Sequence, residues 1–182
     1  MGWIEIPRYF TNKSEKEAFV LSLFGKENVR HINRDGTVYY LAIQQGEEVK
    51  AYVVQTYQKY IYSSHGKHIR AFGYRVDCET VCPTHHDTSR ALIEELTPTV
   101  NAYAIKWRSL CRRTQNNRRL LRVAPIGTKL HIVDKISGDI TLIWDRGQRF
   151  WVNDAHTLVY PISLLARQEL VFDYTHLTNR RH

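Results

Sequence analysis

The sequence predicts an α+β fold, an antiparallel sheet packed with about three helices and followed by a small SH3-like β-barrel unit. Three observations lead there. Eleven Tyr and four Trp stand against one Met, and aromatic residues pack well on pleated surfaces. Helical signals are confined to segments 14–24, 87–96 and 97–113, with strand-like runs between the first two. From Pro125 onward the apolar runs are short and separated by turn residues. The chain is read as an α+β domain over 1–120 and a barrel-like domain over 121–182.

Trp3 to Ile6 reads as a short strand stopped by Pro7. A helix follows from Ser14 to Phe24: Ser14 and Glu17 have capping-box spacing, and Gly25 supplies the stop. Phe19, Val20, Leu23 and Phe24 give it one apolar face. Strands are expected from Val29 to Arg34 and from Thr37 to Gln44, joined at Asp35-Gly36. Val49 to Tyr57 or beyond and Ile69 to Val76 supply two more, either side of a polar loop over 63–67. Asp87 or Thr88 caps a helix running to Leu96. Thr97-Pro98-Thr99 then restarts the chain, with a cap and a proline at the first helical position, into a helix ending near Arg113. Its apolar stripe is Tyr103, Trp107, Leu110 and Cys111. Residues 114–119 read as a polar, basic connector. Lys129–Val133, Ile140–Trp144, Phe150–Val152 and Val159–Ile162 are the strands of the second domain, with turns at 137–139 and 146–147. Residues 179–182 read as a frayed tail.

Charge is the most localised property of the chain. The formal net charge is +8, and all of it comes from 96–133, where Lys106, Arg108, Arg112, Arg113, Arg118, Arg119, Arg122 and Lys129 face no carboxylate in that segment. Clustered cations focus potential and attract a polyanion, nucleic acid or an acidic protein surface. A solvated basic face without a partner has the same pattern. Tyr57, Tyr60 and Tyr62 with Lys59 resemble the aromatic and basic interleaving of single-strand binders, though cross-strand aromatic pairing explains the same residues.

Candidate chemistry is sparse. Cys78, Cys82, His85 and His86 form C-x3-C-x2-H-H, the best metal candidate, but zinc sites usually combine two separated ligand pairs. A loop leading into the helix at Asp87 is the preferred account of them. No metal or other cofactor is therefore expected. The sequence has no G-x-S-x-G, Walker A loop, dinucleotide fingerprint or H-E-x-x-H, so no enzyme is expected and no catalytic residue is assigned. Three cysteines make no disulfide framework, and neither a long apolar run nor a secretion signal is present, so a cytoplasmic protein without membrane contact is expected.

Met1-Gly2-Trp3, the run from Gly36 to Gln44, Phe72-Gly73-Tyr74 with Asp77 and Glu79-Thr80, Leu96-Thr97-Pro98-Thr99, Trp107-Arg108, Cys111-Arg112, Pro125 to Thr128 and Phe150-Trp151 carry a resemblance. In that order they resemble an uncharacterised protein family of phages and conjugative elements of Gram-positive bacteria. Loop 82–87 and the tail after Tyr174 depart from its pattern. The chain's size and that setting also resemble a type II-A anti-CRISPR protein. That likeness implies binding to Cas9 with its guide RNA and non-enzymatic prevention of target-DNA cleavage. A basic inhibitor is no DNA mimic, because the channel it would occupy is itself cationic. The alternative is a nucleic-acid-binding accessory protein of a mobile element, contacting DNA or RNA directly.

Overall fold

The computed structural model describes residues 2–62, 68–81, 86–134, 138–145, 150–153, 155–175 and 177. The loop expected over 63–67 and the turn at 146–147, together with the tail at 179–182, lie outside these residues, as does part of the turn at 137–139. In chain order the elements are β1 (Ile4–Ile6), α1 (Lys13–Ser22), β2 (Val29–Asp35), β3 (Val38–Gln45), β4 (Glu48–Tyr62), β5 (His68–Cys78), α2 (Arg90–Glu95), α3 (Ala102–Val123), β6 (Lys129–Asp134), β7 (Gly138–Asp145), β8 (Phe150–Asn153), β9 (Val159–Tyr160), α4 (Ile162–Leu165) and β10 (Leu170–Asp173). The architecture is mixed, with helices and antiparallel sheets. The chain divides into two compact units, Met1–Ser109 and Leu110–His182, and the division falls within α3.

In the first unit the strand order is β1-β5-β4-β3-β2, and every pairing is antiparallel. Short turns produce this: Gly36 and Gly46 adopt positive φ between β2 and β3 and between β3 and β4. Helix α1 lies on one face, where Val20 packs with Tyr39, Leu41, Ile43 and Val54. Ser89, the N-cap of α2, lies 3.2 Å from His31, whose cross-strand partner is Ala42. Alternation along β3 therefore puts α2 on the opposite face. Coverage on both sides explains why Tyr39 to Ile43 are all buried, a continuous apolar run inside an antiparallel sheet.

Several local expectations move. Helix α1 begins before Ser14, because Asn12 is its cap and its Oδ1 accepts from the Glu15 amide at 2.8 Å. Asparagine is at least as good a cap as serine, so the first available one starts the helix. Pro98 is not the first residue of α3. Asn101 takes the cap position, its Oδ1 accepting from the Ala104 amide at 3.0 Å. Nor does α3 stop near Arg113. It continues unbroken to Val123, through the stretch read as a connector.

Tyr57 packs across a glycine. A Cβ at Gly73 would collide with its ring, the tilted Trp3 ring packs on it at 4.9 Å between centroids, and its hydroxyl donates to Glu5. Lys59 also donates to Glu5, at 2.6 Å. Cross-strand packing thus accounts for Tyr57, while the side chains of Tyr60 and Tyr62 lie outside the description. The hydrogen bonds from Lys59 first, and from Tyr57, hold the Glu5 carboxyl below its usual value of 4.5. A lowered folded pKa means stability that is present above the ordinary carboxylate range and lost as pH falls through it. Wild type is therefore expected to exceed Glu5→Gln in thermal midpoint at pH 7, with the gap narrowing as pH falls below the usual value of 4.5. A gap of constant size across that range refutes the linkage.

The second unit is a five-stranded antiparallel sheet of order β10-β6-β7-β8-β9. Leu121, Ala124, Leu130, Ile132, Trp151, Leu165 and Ala166 form its core. Pro125 to Thr128 make a tight turn, the Thr128 amide donating to the Pro125 carbonyl at 3.0 Å. Gly127 supplies the positive φ of 83° that the turn requires. Helix α4 and strand β10 were not expected from sequence, and Val159–Ile162 divides into β9 and the first turn of α4. Among the described residues no pairing joins β9 to β10, so the sheet does not close into a barrel.

Candidate nucleic-acid interface

Helix α3 carries seven cations and no acid in 22 residues. Its buried residues Ala104, Trp107, Cys111, Thr114, Asn117 and Leu121 follow one another at spacings of three and four, the signature of one helical stripe turned inward, and Arg108 is buried next to Trp107. The expected stripe is corrected at Tyr103, which is exposed. Polar Thr114 and Asn117 resemble a connector by composition, yet both belong to the inward stripe. Asn117 donates through Nδ2 to the carbonyls of Ala166 and Gln168, at 3.1 and 3.0 Å.

The eight cations singled out from sequence separate into three groups. Lys106, Arg112, Arg113, Arg119 and Arg122 are exposed, and Arg118 and Lys129 are half-buried. Arg118 has an interaction partner. Among the described residues no carboxylate forms a salt bridge with the five exposed cations. Arg119 donates through Nη2 to Asn116 Oδ1 at 3.3 Å.

Arg108 is the third case and a correction to its expected place among the cations open to a polyanion. Its side chain is 9% exposed and pairs with Glu79, 6% exposed, at 2.8 Å. Its Nη1 also donates to the Thr97 carbonyl. Glu79 Oε1 accepts from the Ala51 amide as well, at 2.9 Å. One buried ion pair thus ties α3 to the end of β5 and to β4 within the first unit. Both residues line a cleft of about 440 Å³, together with Val49, Lys50, Thr97 and Asn101. The sequence did not pair Glu79 with Arg108, since nothing local marks a partner 29 positions away.

Of the metal candidates, Cys82 and His85 lie outside the described residues. Cys78 is a half-buried thiol. Among the described residues no group of three or more His, Cys, Asp or Glu side chains is placed to hold a metal ion.

No protein-family model, curated protein or solved structure matches this chain. Among the described residues no helix is long and apolar enough to cross a membrane. Function is therefore argued from the exposed face of α3. The second-unit residues that could engage a polyanion there are Arg112, Arg113, Arg119 and Arg122.

Proposed function

We propose that the protein binds nucleic acid through Arg112, Arg113, Arg119 and Arg122, as a non-enzymatic accessory protein of a mobile genetic element. One observation carries the proposal: four exposed arginines lie within eleven residues of a helix that contains no acid. Phosphates repay such an arrangement by releasing condensed counterions, a gain that needs no particular sequence. The second unit is proposed to be SH3-like. Its order, fifth-first-second-third-fourth, with a helical turn before the fifth strand, supports that assignment.

The test is duplex binding measured by fluorescence anisotropy across a salt series. Log affinity is expected to fall linearly with log salt. Replacing the four arginines by Ala is expected to reduce the slope by about one for each arginine that contacts a phosphate. An unchanged slope in a folded variant removes α3 from the function.

A second reading follows from the resemblance described above: inhibition of guide-loaded type II-A Cas9. The positive charge favours contact with guide RNA, DNA phosphates or acidic nuclease surface over occupation of the cationic PAM-reading channel. Target cleavage titrated with this protein tests it. Loss of cleavage near stoichiometry, unrelieved by excess target, supports inhibition, and full cleavage at large excess refutes it.

A further inference from the structure

At about 100° per residue, Arg112, Asn116 and Arg119 fall within about 60° of one another on α3. All three are exposed, and they stand opposite the inward residues Thr114, Asn117 and Leu121. Arg113 lies about 100° to one side of Arg112, and Arg122 about 80° to the other. The face is a ridge of two arginines and one carboxamide with an arginine on each shoulder. Arg112 and Arg119 are about 10.5 Å apart along the axis.

We propose that α3 is a recognition helix for the major groove of duplex DNA. Arg112, Asn116 and Arg119 face base edges, while Arg113 and Arg122 contact the phosphates of the two flanking strands. This rests on the nucleic-acid reading above and goes beyond it by naming the form of nucleic acid and the residues that read sequence.

Three physical points select this occupant. The major groove of B-form DNA admits an α-helix. The corresponding groove of A-form RNA is too narrow for side chains to read. The ridge also has the right chemistry, because arginine pairs with the O6 and N7 atoms of guanine and asparagine with N6 and N7 of adenine. The hydrogen bond from Arg119 to Asn116 Oδ1 orients the carboxamide, leaving its Nδ2 to donate to adenine N7. An acceptor position on Oδ1 stays open for the adenine amine. Asn116 is the informative residue, because it adds nothing to net charge. Its loss therefore separates base reading from charge neutralisation.

The experiment selects duplexes from a randomised pool with the full-length protein, then measures affinity and salt slope for the selected site. The expected site contains guanine and adenine positions. Asn116→Ala is expected to erase discrimination at one adenine, worth about 5- to 150-fold against the wrong base, with a smaller change in salt slope than Arg113→Ala or Arg122→Ala gives. Arg113→Ala and Arg122→Ala are each expected to lower affinity for every sequence and to reduce the slope by about 1. An RNA duplex of the selected sequence is expected not to compete. Salt-dependent binding without sequence preference, or a preference untouched by Asn116→Ala, overturns the recognition helix and leaves the general reading standing. Equal competition by duplex RNA overturns it too. Absence of binding to any nucleic acid defeats both.

Discussion

Arg108→Ala is expected to destabilise the first unit by about 3–5 kcal/mol, the cost of breaking a buried ion pair by removing one partner. Glu79 is held by Arg108 and by the Ala51 amide in a setting where its side chain is only 6% exposed. Without the guanidinium its carboxylate has no compensating charge, and the Thr97 carbonyl loses the donor from Nη1. Urea unfolding of the variant checks this. Arg112→Ala, on the exposed face of the same helix, is the control, with an expected change within about 0.5 kcal/mol. If the two variants unfold alike, Arg108 is an ordinary surface cation and its burial is wrong. The double variant Arg108→Met/Glu79→Met is expected to recover part of the loss, because paired apolar replacements leave no unpaired buried charge.

Trp151→Ala is expected to cost about 3–5 kcal/mol in the second unit, as for other large-to-small aromatic replacements in a core. Trp151 is fully buried among Leu121, Leu130 and Leu165, with Phe172 edge-on at 6.2 Å. Its indole Nε1 donates to the Leu121 carbonyl at 3.3 Å. Leu121 lies in the last turn of α3, where carbonyls have no partner within the helix, so one side chain both fills the core and satisfies a helix end. Trp151→Phe retains an aromatic ring without the donor and is expected to cost less than the Ala variant. Near-ultraviolet circular dichroism and urea titration of both variants test the ordering. Equal losses would mean that the cavity contributes little.

Local patterns were a good guide to the strands. Gly36 and Gly46 mark the turns around β3, and the runs between them alternate or stay apolar as strands do. The four strands of the first sheet after β1 were legible for that reason. Strand β10 was not expected, although Val171 and Phe172 carry a strand-like signal, because four residues make too short a pattern to stand out. The end of α3 was misread for a different reason. Thr114, Asn116 and Asn117 are modest helix formers beside paired arginines, and composition alone makes such a stretch a connector. Continuing the three-and-four spacing from Trp107 through Cys111, Thr114 and Asn117 to Leu121 would have extended the helix and exposed Asn116 between Arg112 and Arg119.

The candidate site divides along the same line. That the net charge belongs to 96–133 is a property of the sequence, because adding charges along a chain needs no coordinates. Which of those charges remains available to a partner was decided by tertiary structure. Arg108 and Arg112 are four residues apart and chemically identical, yet one is enclosed with Glu79 and the other is exposed. Their difference comes from a carboxylate on a distant segment and from the side of the helix that packs. The sequence alone determined the antiparallel strand plan and the segregation of charge, since turns and charge runs are local. Folding decided the two-sided burial of β3, the pairing of Arg108 and the inward placement of Asn117, because each depends on partners brought together only when the chain packs.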